Sequence, residues 1–229
     1  MTGISVIIPV LRDDEALARL LTRLASMDIS EVIIADAEPR EHLPANLTSP
    51  DLSITHISTQ KGRGPQIKAG IDKAKHPYIW VLHADTLPDP KSPEAIQTIL
   101  SHPQNSLSIF TLTFDRPTPL LRVFSWFARW ESPLSTFGDQ GYAFRRSDYQ
   151  SLDISLENLP LLEDVVLRRT LKQKGRIKRS PLKIITSARR FEKYGVLKTQ
   201  WLNCLILWRF WRGETASTLY DIYYGQHLD

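Results

Sequence analysis

A histidine and a carboxylate end a run of large apolar residues in "IWVLHADTLPDP", residues 79–90. Asp85 offers oxygen to a divalent cation and His83 offers nitrogen. Mg²⁺ characteristically binds through one or two carboxylates, with substrate phosphates and water completing its shell, and Mn²⁺ tolerates imidazole better. A polar turn before Pro88, with Asp85 as its cap and His83 packed nearby, would give the same pattern. Both residues are therefore candidate metal ligands.

Two other segments carry residues that suit a nucleotide. Asp36 follows "EVIIA" and would either cap a loop or accept a hydrogen bond from a base or ribose, as acids at strand ends do in nucleotide-binding folds. "QKGRGPQ" is not a phosphate-binding P-loop, because it lacks the Lys-Ser/Thr pair and the spacing. Its glycine amides, Arg63 and the helix N-terminus that follows would still suit a diphosphate.

Three acids in the second half are candidates for proton transfer or ligand contact. Glu163 and Asp164 are adjacent in "LLEDVVLRR", where the helix dipole favours acids whatever their function. A carboxylate positioned on a reacting hydroxyl would act as a general base, worth about 10²–10⁴ in rate. Asp139 lies in "FGDQG", where glycine lets the backbone approach a ligand closely, although an ordinary turn looks the same. No Gly-x-Ser-x-Gly, Cys-x-x-Cys or His-Glu-x-x-His arrangement is present.

Hydrophobic patterning predicts the elements that position these residues. In the first half it predicts strands over 4–8, 31–35, 52–57 and 78–82, a helix over 15–24 capped by Asp13 or Asp14, and a helix starting near Pro65. This alternation, with strands that are almost continuously apolar, is typical of a parallel α/β sheet covered on both faces. Ligands bind beyond the carboxyl ends of such strands. Residues 9–13, Asp36 and 83–85 should therefore meet at one edge.

The second half of the chain is less regular. Its patterning predicts a strand over 107–114, an aromatic helix over 120–130, and a turn and short strand in "GDQGYAFRR". It also predicts a helix over 161–174 closed by Gly175, one or two strands in 177–186, and helices over 196–213 and 215–224. "SARRFEKYG" alternates cations with aromatics, which suits either a substrate clamp or a snorkelling surface. "WLNCLILWRFW" predicts a helix packed on the core, with an interfacial membrane helix as the minority interpretation.

Composition sets the class of protein. At 229 residues, 42% hydrophobic and 24% charged, the chain has the composition of a folded domain rather than a disordered segment. Cys204 is the single cysteine, which excludes an intramolecular disulfide and favours a reducing compartment. The first residues lack a signal peptide pattern, and no apolar run approaches the ~20 residues of a spanning helix. We therefore expect a cytoplasmic protein. Its basic stretch, 168–193, would attract phosphate, anionic lipid or nucleic acid, or simply be solvated.

Taken in order, these segments resemble the family 2 glycosyltransferases, which have the GT-A fold, over nearly the whole chain. "SVIIPVLRDDEAL" resembles their first strand and helix, and "EVIIADAE" their second strand with its nucleotide-contacting acid. "GRGPQIKAG" and "IWVLHADTLP" resemble the region of their Asp-x-Asp metal motif. "GDQGYAFRR", "LLEDVVLRRTLKQKGR" and "TSARRFEKYG" resemble more narrowly a bacterial subgroup of small, single-domain members with a His-Ala-Asp-Thr sequence.

The resemblance implies an α/β fold of the GT-A type, with a mixed, mostly parallel sheet flanked by helices. It implies one domain over 1–229, divided into a nucleotide-binding half (1–90), an acceptor and catalytic half (91–195) and C-terminal helices (196–229). The implied activity is a metal-dependent, inverting transfer of a sugar from a nucleoside-diphosphate sugar to an acceptor hydroxyl. The acceptor is left open and includes lipid-linked molecules, and no nucleic acid partner is expected.

The resemblance also implies a role for each candidate residue. Pro9, Val10 and Asp13 would border the base and ribose, Asp36 would bond to the base, Arg63 would lie toward the diphosphate, and Ala84 would belong to the same donor-binding set. Asp85 would bind Mg²⁺ or Mn²⁺, and His83 would join the metal, touch the diphosphate or merely occupy the place of a missing acid. Asp164 would deprotonate the acceptor, with Glu163 and Asp139 as the other catalytic candidates.

Three departures from the family pattern stand out. His83 replaces the first metal-motif acid, "ADAEPREHLP" lacks the usual glycine, and Lys68 replaces the usual asparagine. The altered "ADAEPREHLP" segment leaves open a degenerate transferase that binds a nucleotide or a partner without catalysis. The basic stretch and the Trp-rich helix leave open a peripheral membrane-binding protein that makes contact through 201–212.

Overall fold

The fold is built on one eight-stranded sheet. The computed structural model describes residues 3–38, 40, 43–44, 47–127 and 138–225. Its strands are β1 (Ile4–Val10), β2 (Glu31–Asp36), β3 (Ile54–Ser58), β4 (Tyr78–Val81), β5 (Thr86–Pro88), β6 (Asn105–Phe114), β7 (Tyr142–Arg145) and β8 (Arg176–Thr186). They lie in the order β3-β2-β1-β4-β7-β6-β8-β5.

Helices cover both faces of this sheet. They are α1 (Asp14–Leu24), α2 (Arg63–Lys73), α3 (Ser92–Ser101), α4 (Pro119–Phe127), α5 (Arg146–Gln150), α6 (Glu163–Leu171), α7 (Arg189–Tyr194), α8 (Val196–Trp211) and α9 (Ala216–Gly225). Short 3-10 turns occupy Gly138–Gln140 and Leu156–Asn158.

Strand direction changes midway across the sheet. β3, β2, β1 and β4 run parallel to one another, β7 is antiparallel to both β4 and β6, β8 runs parallel to β6, and β5 is antiparallel to β8. Every residue of β1, β2 and β4 is buried, which explains why these strands lack the alternation of a half-exposed strand. The predicted mixed, mostly parallel sheet flanked by helices is confirmed.

Two apolar layers hold the helices to the sheet, one on each face. Ile4 and Trp80 pack with Leu17 of α1 on one side, while Phe144 packs with Ile67 of α2 and with α6 on the other. A third, smaller cluster joins α8 to α9 and to the segment before α6. The sheet edge that carries the site is therefore fixed from both sides.

The structure corrects several predicted elements. The amide of Thr86 donates to the carbonyl of His83 at 3.1 Å, so the predicted turn exists, but it leads into β5, which pairs with β8. The helix predicted over 161–174 begins only at Glu163, because Leu162 is left-handed with φ 65°. Segment 177–186 is one strand, and α3, α5 and α7 were not predicted. The predicted helix over 120–130 is observed to Phe127, and its remainder lies outside the described residues.

Candidate active site

His83 and Asp139 form the centre of the polar edge beyond β4. His83 follows that strand, and the 3-10 turn before β7 carries Asp139 to it, so that His83 Nδ1 lies 2.8 Å from Asp139 Oδ1. Burial by itself would lower the pKa of His83, but the hydrogen bond and charge of Asp139 outweigh it, and the pKa is raised. The same bond lowers the pKa of Asp139, against its burial. The two predicted residues are thus one hydrogen-bonded pair.

This pair leaves one ring nitrogen of His83 facing inward. Nε2 is buried, and no hydrogen bond from the described residues reaches it. When a histidine binds a metal, its other ring nitrogen is usually held by a carboxylate or carbonyl, which fixes the tautomer. Asp139 holds Nδ1 in this manner, so Nε2 is oriented to accept a bond.

Asp85 lies close enough to this pair to feel its charges. Burial, followed by the negative charge of Asp139, raises the pKa of Asp85 to about 6, while His83 and Arg189 oppose the shift. A carboxylate in this position is costly to ionise unless a cation is near. The surroundings of Asp85 therefore favour a bound cation.

The described residues contain no group of three or more histidine, cysteine, aspartate or glutamate side chains that could hold a metal ion. Asp85 and His83 nevertheless fit a cation of the Mg²⁺ type, which takes few protein ligands and fills its shell from substrate phosphates and water. A metal at this edge would be held jointly by the protein and its ligand.

Asp13 borders the same edge from the end of β1. It occupies the N-cap position of α1, one of the two positions predicted, but its side chain makes no capping bond. Its carboxylate pairs instead with Arg189 of α7 at 2.5 Å, and that bond is the main cause of the raised pKa of Arg189. Arg12, directly before it, has a left-handed φ of 52°. The ion pair between Asp13 and Arg189 therefore holds α7 against the sheet edge that carries the site.

Pro9 and Val10 are buried at the end of β1, and Ala84 is buried beyond β4. Gln66 of α2 donates to the carbonyls of Val10 and Ala35, at 2.7 Å each, through its side-chain nitrogen. This glutamine joins the ends of β1 and β2 beside the site. It was not predicted, since nothing local distinguishes it from a surface glutamine.

The carboxylate of Asp36 is bonded to other residues of the protein. It is fully buried at the end of β2, where Arg40 Nε lies 2.6 Å from Oδ2 and the Glu38 amide donates to Oδ1 at 2.8 Å. His56 lies 3.4 Å from Oδ2. In this arrangement Asp36 holds the loop after β2, so its predicted bond to a base stays a prediction that would require Arg40 to move.

The "GRG" segment packs against protein, which corrects the predicted use of its amides. The amides of Arg63 and Gly64 donate to the carbonyls of Pro160 and Leu159 at 3.2 and 3.1 Å. A Cβ at position 64 would lie 2.2 Å from the carbonyl oxygen of Leu159, and Gly62 has a φ of 129°. These glycines allow the close approach of α2 to the 156–160 segment, and the amides of Arg63 and Gly64 are not available to a diphosphate.

Arg63 and Glu163 form an ion pair at the start of α2 and α6. Nε of Arg63 lies 3.2 Å from Oε1 of Glu163, whose side chain is completely buried while that of Arg63 is 29% exposed. Burial raises the pKa of Glu163 to about 7, Arg63 opposes this, and Asp164 adds to it. The pKa of Arg63 is also raised, because the nearby carboxylates outweigh its burial. Because the carboxyl of Glu163 is completely enclosed, burial outweighs the charge of Arg63 and the pKa of Glu163 is raised.

Asp164 differs from its neighbour in accessibility. It is only partly buried, and its Oδ1 accepts a hydrogen bond from the Val165 amide at 2.8 Å. A base that removes a proton from a substrate must be reachable. Of the two predicted acids, Asp164 meets this requirement, and Glu163 serves as the counter-ion of Arg63.

The C-terminal helices complete the edge with residues that the sequence did not assign to a site. Arg190 of α7 lies 4.1 Å from the ring centre of Tyr223 of α9, and burial raises the pKa of that tyrosine to about 12. Arg190 also lowers the pKa of Asp139. The cation–aromatic alternation of "SARRFEKYG" was the available signal, but its partners lie far away in the sequence.

A family model described as Glycosyl transferase family 2 matches residues 5–152 of the chain. The chain belongs to glycosyl transferase family 2. The matched part holds the site residues from Asp13 to Asp139 and ends before Glu163 and Asp164. The chain is accordingly a glycosyltransferase. The family match does not reach Glu163 and Asp164, so their position relative to the other site residues comes from the structure. No curated protein sequence matches the chain.

Solved glycosyltransferase structures share its fold. The mannosyltransferase PcManGT from Pyrobaculum calidifontis, in complex with GDP-Man and Mn²⁺, is 16% identical with a TM-score of 0.67, covering 97% of this chain and 69% of that one. S. aureus TarS 1-349 in complex with UDP-GlcNAc is 13% identical, with a TM-score of 0.59 and coverages of 81% and 58%. A second TarS 1-349 structure is 12% identical, with a TM-score of 0.60 and coverages of 96% and 69%. At these identities the likeness establishes the GT-A fold.

Proposed function

We propose that this family 2 glycosyltransferase uses a divalent cation, Mg²⁺ or Mn²⁺, to move a sugar from a nucleoside-diphosphate sugar to an acceptor hydroxyl, with inversion. The observation that carries the proposal is the joint placement of Asp85 and the His83–Asp139 pair beyond β4, which gives a partly buried carboxylate and an oriented imidazole at the ligand-binding edge of the sheet. Fold relatives bound to GDP-Man with Mn²⁺ and to UDP-GlcNAc support a nucleotide-sugar donor and a cation.

Asp85 would hold the cation, with His83 Nε2 as a second ligand. The cation would neutralise negative charge that develops on the diphosphate as it leaves. Asp139 fixes the orientation of His83, while Asp13 and Arg189 keep α7 against the donor side of the site. The chain's own task on this side is to hold the diphosphate and to keep the imidazole in the tautomer with Nε2 free of a proton.

Asp164 would act as the general base. In a single displacement with inversion, the acceptor oxygen forms its bond to the sugar on the side opposite the diphosphate, and its proton passes to the carboxylate. We propose a cytoplasmic location, which the single cysteine supports. A lipid-linked acceptor remains within the proposal.

A thermal-shift screen of nucleoside diphosphates and their sugars, with and without Mn²⁺, tests this function. A ligand that binds only the native state at 100 times its Kd should stabilise it by about 2.7 kcal/mol. We expect one nucleotide class to raise the melting temperature, and Mn²⁺ to enlarge the rise. Asp85→Asn should abolish the Mn²⁺-dependent part, whereas Asp72→Asn, which removes a carboxylate paired with Lys68 on α2, should keep it.

The same screen separates the alternatives. An unchanged Mn²⁺ effect in Asp85→Asn would show that the metal assignment is wrong, and no shift with any nucleotide would reject the donor class. Nucleotide binding without hydrolysis or transfer across a panel of donors and acceptors would favour the degenerate transferase.

A further inference from the structure

Helix α8 carries a row of exposed apolar side chains along one face. Leu197, Trp201, Trp208 and Trp211 are 70%, 63%, 53% and 52% exposed, and Cys204 between them is exposed as well. At about 100° and 1.5 Å per residue, these five side chains fall within an arc of about 80° and extend over about 21 Å. We refer to them as the α8 ridge.

The opposite face of α8 packs against the rest of the protein. Thr199, Leu202 and Ile206 are buried there, and Leu202 packs in a cluster with Leu219 of α9. Since an aromatic side chain can bury about 150–250 Å², three indoles that are more than half exposed leave roughly 250–400 Å² of aromatic surface in water. Patches of a few hundred Å² on monomers commonly mark an interaction site.

The charge around the α8 ridge favours an anionic partner. Segment 189–212 contains one carboxylate, Glu192, and six cations. Arg189 and Arg209 are paired with Asp13 and Glu214, so the positive charge comes from Arg190, Lys193, Lys198 and Arg212. Helix α8 itself contains no acid. Lys198 and Arg212 project from the same flank, about 60–100° from the centre of the ridge, and Arg212 lies 5.0 Å from the ring centre of Trp208.

We propose that the α8 ridge binds the surface of an anionic lipid bilayer, with the helix lying in the plane of the interface. Tryptophan is enriched at the headgroup level of membranes, because its ring is apolar and its N–H is polar. A helix with aromatics on one face and cations beside it is typical of interfacial binding. Within the described ranges no helix is long and apolar enough to cross a membrane.

Docking through the α8 ridge would set the active site beside the lipid. Helix α7, directly before α8, pairs with Asp13 through Arg189, and α9, packed on α8, brings Tyr223 to Arg190. The two helices that hold α8 are therefore the same ones that complete the polar edge. The inference does not rest on the proposed sugar transfer, and it is tested without it.

Cys204 provides the first test, because it is the single cysteine and lies in the ridge. An environment-sensitive fluorophore on Cys204 should shift to shorter wavelength with vesicles of phosphatidylcholine that contain roughly one third phosphatidylglycerol, and the binding should weaken steeply with salt. Co-sedimentation of the unlabelled protein with the same vesicles should give the same affinity. Vesicles of phosphatidylcholine alone should bind far more weakly.

Substitutions in the ridge provide the second test. Trp201→Ser and Trp208→Ser should each weaken binding by about tenfold, and Lys198→Gln and Arg212→Gln by about fivefold each, with a flatter salt dependence for the two charge variants. Trp126→Ser, which removes a 49% exposed indole from α4, is the matched control and should retain the wild-type affinity. Unchanged unfolding midpoints would show that each variant is folded.

Four results would overturn the inference: no binding of the wild type, equal binding to both kinds of vesicle, unchanged binding of the ridge variants, or a loss in Trp126→Ser as large as theirs. Light scattering tests the alternative that a second copy of the chain covers the α8 ridge. If the protein does not bind vesicles but forms a dimer that Trp201→Ser dissociates, the α8 ridge is an interface between two copies of the chain.

Discussion

Replacing Glu163 by glutamine tests how burial and charge compete in the Arg63–Glu163 pair. The carboxyl is completely buried and has one cation at 3.2 Å. If burial governs, the native state holds the proton of Glu163 more tightly than the unfolded chain does, so its pKa is raised. If Arg63 governs, the native state favours the carboxylate and the pKa is lowered. The two cases give opposite dependences of stability on pH.

The size of the expected change in unfolding free energy follows from the pKa of Glu163. Glu163 titrates at about 7 in the folded protein, against an ordinary value of 4.5, and each pKa unit corresponds to 1.36 kcal/mol. Between these values the unfolded chain has released the proton and the native protein keeps it, so stability falls as pH rises. The loss should reach about 3 kcal/mol by pH 8. Glutamine cannot titrate, so Glu163→Gln should lack this component.

Urea unfolding of both proteins between pH 4.5 and 8 measures this component directly. The difference in unfolding free energy, wild type minus Glu163→Gln, should decline by about 3 kcal/mol across that range. Taking the difference removes the contributions of all other titrating groups. Glu157→Gln, which removes an exposed carboxyl from the 3-10 turn before α6, is the control for the loss of a glutamate at the surface. A difference that grows with pH would refute the reasoning and make Arg63 the dominant influence on Glu163.

Two further predictions concern single positions. In EDTA, Asp85→Asn should be more stable than the wild type by about 1–3 kcal/mol at pH 8, since the carboxyl has a pKa of about 6 instead of 3.8, and the advantage should vanish near pH 3.5; greater stability of the wild type at pH 8 would contradict this. Gly64→Ala should lower the unfolding free energy by about 1–3 kcal/mol, because the new Cβ meets two carbonyl oxygens at 2.2 and 2.3 Å. Gly225→Ala, with open space around its Cβ, should be close to neutral.

The first half of the fold could be predicted from the sequence because three of its strands, β1, β2 and β4, are buried along their whole length. Short, almost continuously apolar runs such as 4–8 favour core strands, and parallel strands bring their carboxyl ends to one edge. Strand β5 escaped prediction because three residues carry too little pattern. The turn that precedes it was anticipated, and the strand that follows is defined by its pairing with β8 at the far edge of the sheet.

The partners of the site residues could not be read from the sequence. Asp13 finds Arg189, 176 residues away, and Glu163 finds Arg63, so two acids that suit helix N-termini are committed to distant cations instead. The glycines of "GRG" allow close approach to protein as readily as to phosphate, and local pattern does not distinguish the two. Which partner is reached depends on how the whole chain packs, beyond the reach of spacing rules.

Backbone strain accompanies the acids at this edge and clarifies what the fold is arranged to hold. Among the described residues, the two non-glycine positions with positive φ are Arg12 and Leu162, and each directly precedes an acid of the site. Such conformations cost about 1–3 kcal/mol and persist where the surrounding structure imposes them. The fold therefore holds both Asp13 and Glu163 at a cost, and each is paired with a distant arginine. Burial raises the pKa of Asp85 as it does that of Glu163, but among the described residues Asp85 forms no ion pair with an arginine. The missing partner makes Asp85, rather than the two arginine-paired acids, the carboxylate that a bound cation would most relieve.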